Sequence, residues 1–147
     1  MFSEFKNAVE NNNLERVKYY LNKGVDPSDC NSYVIRIACD IGRLEIVKLL
    51  LMDYRVDPSV GNNYPIRSAS ESGYKEIAKL LLMDYRVDPS DIDNQAIRWA
   101  SRNGHVEVVK LLFKDNRVRN SLRKEDITGL IEKEYKLNKL KKLRNEN

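Results

Sequence analysis

The chain has only two cysteines, one histidine and one tryptophan in 147 residues. Cys30 and Cys39 are too few for a disulfide framework or a four-ligand zinc site. A lone His105 leaves little scope for imidazole-based metal or acid–base chemistry. Long apolar runs are also missing. Stretches such as Leu49–Leu51 and Leu80–Leu82 fall far short of the roughly 20 residues a membrane helix needs. The N-terminus, Met1-Phe2-Ser3-Glu4-Phe5-Lys6, carries an early acid and no apolar stretch, so no secretory signal is expected. No Asn-x-Ser/Thr acceptor occurs. These absences predict an intracellular, cytoplasmic protein kept reduced, with no catalytic residue, no metal, no cofactor and no small-molecule substrate. Glycine and proline are sparse as well, at six and four, and most of them fall at regular intervals.

That regularity comes from a repeat. Lys48-Leu-Leu-Leu-Met-Asp-Tyr-Arg-Val-Asp-Pro-Ser59 recurs unchanged as Lys79 to Ser90, 31 residues on, and a looser copy runs from Lys110 to Val118. Upstream lies a second shared block, Ile35-Arg36-x-Ala38, Ile66-Arg67-x-Ala69 and Ile97-Arg98-x-Ala100. Each is followed by Gly42, Gly73 or Gly104. A degenerate first copy holds Ala8, Leu14-Glu15-x-Val17-Lys18, Leu21 and Gly24-Val25-Asp26-Pro27-Ser28. A period of this size marks a stacked array. Each unit reads as helix, tight turn, helix, loop. Pro65 suits the first turn of a helix, where its missing N–H costs no bond. Gly73 suits the left-handed position after a helix end. Leu44, Val47, Leu50 and Leu51 form one apolar face of the second helix, and Ile46 and Leu49 form another. A helix apolar on two sides is expected to sit between neighbours. Asp57-Pro58 then ends it.

These motifs resemble the ankyrin repeat. The family pattern Thr-Pro-Leu-His-x-Ala stands here as Tyr64-Pro65-Ile66-Arg67-Ser68-Ala69. The family's Gly-His-x-Glu-Ile-Val-Lys-Leu-Leu-Leu stands as Gly73-Tyr74-Lys75-Glu76-Ile77-Ala78-Lys79-Leu80-Leu81-Leu82. The resemblance covers about residues 1–118. It implies an all-α solenoid of four units (about 1–31, 32–62, 63–93 and 94–118), closed by a C-terminal capping helix with a basic end over 119–147. The Ile-Arg and Val-Asp-Pro-Ser variants look like ankyrin proteins of giant DNA viruses of amoebae, and the Asn- and Lys-rich composition fits an AT-rich genome. That likeness implies a viral protein acting on host factors in host cytoplasm. The period departs from the family's ~33 residues. The residues lost belong to the projecting finger hairpin, so short turns are expected in its place.

The resemblance implies a non-catalytic, monomeric module that binds a protein partner on its concave face. The residues it points to are the pairs before Asn12, Gly42, Gly73 and Gly104: Glu10-Asn11, Asp40-Ile41, Glu71-Ser72 and Arg102-Asn103. Beside them stand the loop residues Asn62, Asn63, Asp93 and Asn94, and Trp99, which either packs inside or anchors a partner. These positions differ between units while the framework repeats. Arg36, Arg67 and Arg98 replace the family's His. They form either a cationic rail or a set of ties to loop groups such as Asp57 and Asp88. His105 shares its slot with Tyr74 and Arg43, which predicts a structural role. Cys39 takes the place of a small buried residue. The loop acids, Asp26, Asp29, Asp57, Asp88, Asp91 and Asp93, read as turn and capping groups rather than a calcium loop.

The net charge of +4 is localised. Residues 119–147 hold nine Lys/Arg and five Asp/Glu, and that surplus equals the surplus of the whole chain, leaving the repeats neutral. Ile127, Leu130, Ile131 and Tyr135 are spaced to cap the last unit through one helix face. Lys133, Lys136, Lys139, Lys141, Lys142 and Arg144 follow. This run makes nucleic acid or an anionic membrane the alternative partner.

Overall fold

The computed structural model describes residues 1–145, apart from the side chain of Ile131. Ten helices and no strand occur among the described residues. They pair as α1 (Phe2–Glu10) with α2 (Leu14–Asn22), α3 (Asp29–Asp40) with α4 (Leu44–Leu51), α5 (Val60–Glu71) with α6 (Lys75–Leu82), and α7 (Asp91–Arg102) with α8 (Val106–Phe113). A short α9 (Asn116–Ser121) and a long α10 (Lys124–Asn145) follow. First helices stack on first helices and second helices on second helices, giving two rows. One apolar core runs the length of the stack, from Phe5 to Leu122. Ile46, Val47 and Leu50 of α4 are fully buried, as are Ala78 and Leu81 of α6. The two-sided apolar pattern of the second helices is thus explained by neighbours on both sides.

The finger is replaced by a left-handed turn. Cys30-Asn31-Ser32, Gly61-Asn62-Asn63 and Ile92-Asp93-Asn94 all have φ between 51 and 63°. Three successive residues in this region are uncommon outside glycine. They reverse the chain after each Asp-Pro-Ser loop and launch the right-handed part of the first helix. Pro65 follows the turn, near the start of that part.

The loops are built from local polar bonds. Oδ1 of Asp57 accepts from the Ser59 N–H at 2.9 Å and its Oγ–H at 2.6 Å, and Asp88 does the same for Ser90 at 2.9 and 2.6 Å. Asp26 serves Ser28 at 2.8 and 2.7 Å. These loop acids are turn-formers.

The arginine column differs in detail from both readings offered above. Arg67 donates to the carbonyls of Asn62 and Gly61 at 2.9 Å each and to the Gln95 side chain of the next unit. Arg98 pairs with Asp93 at 3.0 Å. Arg36 and Arg67 both lie over the Tyr64 ring, 5.2 and 5.5 Å from its centre. Neither Asp57 nor Asp88 is the partner. Their carboxylates are held by serines, while Arg67 and Arg98 fold back over the left-handed turn five or six residues before them.

Candidate functional site

The ends of the first helices form the site the sequence points to. Asn11, Asp40, Glu71, Ser72, Arg102 and Asn103 are exposed, while Glu10 and Ile41 are half-buried. Bonds between units join these ends. Arg43 donates to the Glu10 carbonyl at 2.8 Å, and the Asn103 side-chain amide donates to the Glu71 carbonyl at 2.9 Å. Tyr33 donates its hydroxyl to Glu10 Oε1 at 2.8 Å, and that bond to a carboxylate raises the phenol's pKa. Asn11 donates its side-chain amide to the Asn7 carbonyl at 2.8 Å. The backbone at these ends is therefore fixed, while Asp40, Glu71 and Arg102 present their charged groups to solvent.

Asn62 and Asp93 are exposed on the left-handed turns, but Asn63 and Asn94, called with them, are buried, at 6% and 2% exposure. The Asn63 side chain bridges units. Its amide donates to Asp91 at 2.9 Å, and its oxygen accepts from the Asp88 N–H at 2.8 Å. Asn94 donates to Ser121 at 2.8 Å, but its oxygen is buried without a partner. The N–H matching that of Asp88 belongs to Arg119, and α9 directs it to the Asp115 carbonyl. Trp99 is half-buried on α7.

Asp-x-Arg pairs make a second set of ties. Asp53, Asp84 and Asp115 each hold the arginine two residues on, at 2.6, 2.8 and 2.8 Å. The guanidinium keeps each of these carboxyls below the usual range. Arg86 and Arg117 also reach back one unit, to the carbonyls of Val56 at 3.2 Å and Val87 at 3.0 Å. The signal was present in the Asp-x-Arg recurring at 53, 84 and 115.

At the C-terminal end Ile127 and Leu130 pack on the core, as the capping reading expects. Tyr135 does not join them and is 69% exposed. Leu137 instead lines a cleft of about 270 Å³ with Val106, Val109 and Leu130. Lys133 donates to Ser101, and Glu134 pairs with Lys110 at 3.5 Å, which seats α10 against α7 and α8. The side chain of Ile131, called with them, lies outside the described residues, as do residues 146–147.

A family model of ankyrin repeats, three copies long, matches residues 5–93 and again 37–126. The chain belongs to the ankyrin repeat family. No curated protein matches it by sequence. Ankyrin repeats are generally protein-interaction modules and typically non-catalytic. Within this ankyrin stack, the pairs before the turn glycines and the left-handed turns are among the places where exposed residues vary from unit to unit. Among the described residues no helix is long and apolar enough to cross a membrane, and no group of three or more His, Cys, Asp or Glu is placed to hold a metal ion.

Proposed function

We propose that this ankyrin stack is a protein-binding module whose partner lies across the concave side, over the ends of the first helices and the adjoining turns. One observation carries the reading. Equivalent exposed positions change from Asp40 to Glu71 to Arg102, while the buried framework between them repeats. Packing explains the repetition, and the divergent positions are left to answer to a partner. The surface needs little ordering on binding, because the helix ends are already held by bonds between units.

The proposed contact residues are Glu10, Asn11, Asp40, Ile41, Glu71, Ser72, Arg102, Asn103, Asn62 and Asp93, with Trp99 at the edge. The first position of each pair is acidic in three units and basic in the fourth. A partner of matching charge carries cations opposite Glu10, Asp40 and Glu71 and an acid opposite Arg102. The class of partner we propose is a host cytoplasmic protein.

The test is affinity capture from cell extract with the wild-type chain and with Asp40→Lys/Glu71→Lys/Arg102→Glu. These side chains are exposed, so the free energy of unfolding in urea is expected to stay within about 1 kcal/mol of wild type. Specific proteins recovered with the wild type should be lost with the variant. Equal recovery would place the binding surface elsewhere.

A further inference from the structure

The last turns of α10 are unlike the rest of the molecule. Leu137 is the last residue of the helix that lines the cleft against the stack. From Asn138 to Asn145 every residue is exposed. Lys136, Lys139, Lys141, Lys142 and Arg144 are all exposed, and none of them takes part in an ion pair among the described residues. Of the two acids just before this run, Glu134 is turned toward Lys110 of the stack, and Glu132 is exposed and takes part in no ion pair among the described residues.

Their arrangement decides between partners. Successive helical residues turn by about 100°, so these five cations point to all sides of the cylinder. Leu140 and Leu143 fall among them, 63% and 51% exposed. A helix that lies on a membrane needs one continuous apolar face and one polar face. Lys136 and Arg144 fall on the same side of the cylinder as Leu140 and Leu143, so this segment has no continuous apolar face. One side instead groups Tyr135, Asn138, Lys139 and Lys142, at i, i+3, i+4 and i+7, along a shallow groove. These are hydrogen-bonding and cationic groups of the kind that meet phosphates and sugars.

We propose that the free end of α10 binds duplex DNA by entering the major groove. A helix with its side chains is about 10–12 Å across, and the major groove of B-form DNA is about 12 Å wide. A cylinder with cations on every side then meets the phosphate walls on both flanks. The A-form groove of duplex RNA is too narrow to admit it. Recognition is by backbone charge, so binding is independent of sequence. The neutral repeat stack stays outside the groove, and its first-helix ends stay open to a protein.

The experiment is fluorescence anisotropy of a short labelled DNA duplex with the full chain. A duplex RNA of the same length and vesicles of phosphatidylcholine with phosphatidylserine serve as parallel probes. Three to five phosphate contacts should weaken DNA binding about 40- to 500-fold between about 50 and about 200 mM salt. Lys139→Gln/Lys141→Gln/Lys142→Gln should abolish measurable binding, while Lys48→Gln/Lys79→Gln on the stack should leave it unchanged. Failure to bind DNA at the lower salt overturns the proposal, as does full binding by the triple variant. Equal affinity for duplex RNA overturns the groove placement. Vesicle binding without DNA binding assigns the segment to membranes instead. Every arm reads α10, so none depends on the protein partner of the stack.

Discussion

The Tyr74 ring lies against the backbone of Gly42, one unit back in the stack. A Cβ at position 42 would meet the ring's Cζ at 2.7 Å. His105 covers Gly73 in the same way. Gly42 has φ +74°, so both its backbone angle and the space above it exclude a side chain.

Gly42→Ala should therefore destabilise the chain by about 2 kcal/mol or more, of which the left-handed backbone accounts for about 1–2 kcal/mol. Adding Tyr74→Ala should relieve the crowding but not the backbone strain. A double-mutant cycle by urea unfolding should show coupling of about 1 kcal/mol. Strict additivity would mean that the ring does not rest on Gly42.

Leu81 is fully buried between α4 and α8, whereas Met83, two residues on, is 79% exposed. Leu81→Ala should cost about 2–5 kcal/mol. Met83→Ala should stay within about 0.5 kcal/mol. Denaturation midpoints separate the two, and an unchanged midpoint for Leu81→Ala would refute the core assignment.

Acid should unfold the stack partly through the Asp53, Asp84 and Asp115 carboxylates. Each titrates below the ordinary aspartate range because an arginine holds it. A carboxyl with a lower pKa in the folded state adds stability above its unfolded value of about 3.9, and that stability is lost as pH falls through the folded value. Both partners of the Asp84–Arg86 pair are partly exposed, so its share is below about 1 kcal/mol. Thermal midpoints should be level near neutrality and fall below about pH 4. Asp84→Asn should lower the neutral plateau and flatten the acid decline. A parallel decline in variant and wild type would exclude the pair.

The two thiols should differ sharply. Cys30 is exposed, and Cys39 is buried. Burial pushes the Cys39 thiol well above its ordinary pKa, so little thiolate forms there. A thiol reagent should label one cysteine rapidly under native conditions and the second only in denaturant. Rapid labelling of both would mean that α3 opens freely.

The paired helices and their boundaries were legible because one unit of 31 residues is written out several times, with glycine and proline as punctuation. The left-handed turns were not. Cys-Asn-Ser, Gly-Asn-Asn and Ile-Asp-Asn share only an Asn or Asp in the middle, which suits one left-handed residue but does not announce three in a row. Their φ values are imposed by stacking, because Asn63 must reach the Asp88 N–H and Asp91 of the next unit. Side-chain bonds to the next unit also bury Asn63 and, through Ser121, Asn94. In the candidate site, the divergence of Asp40, Glu71 and Arg102 was readable residue by residue. That Asn103 also ties down the Glu71 carbonyl was not, since one amide can serve a neighbour or a partner with equal chemistry.

The backward reach of Arg86 and Arg117 gives the stack a mechanical grain. Each strut is anchored in a later unit and grips the carbonyl of an earlier one. Tension applied at the two ends breaks struts one at a time, starting where a unit has no successor to hold it. Units touch only their neighbours, so the extension should rise in steps. Each released repeat frees 31 residues of chain, which is about 100 Å of contour length per step.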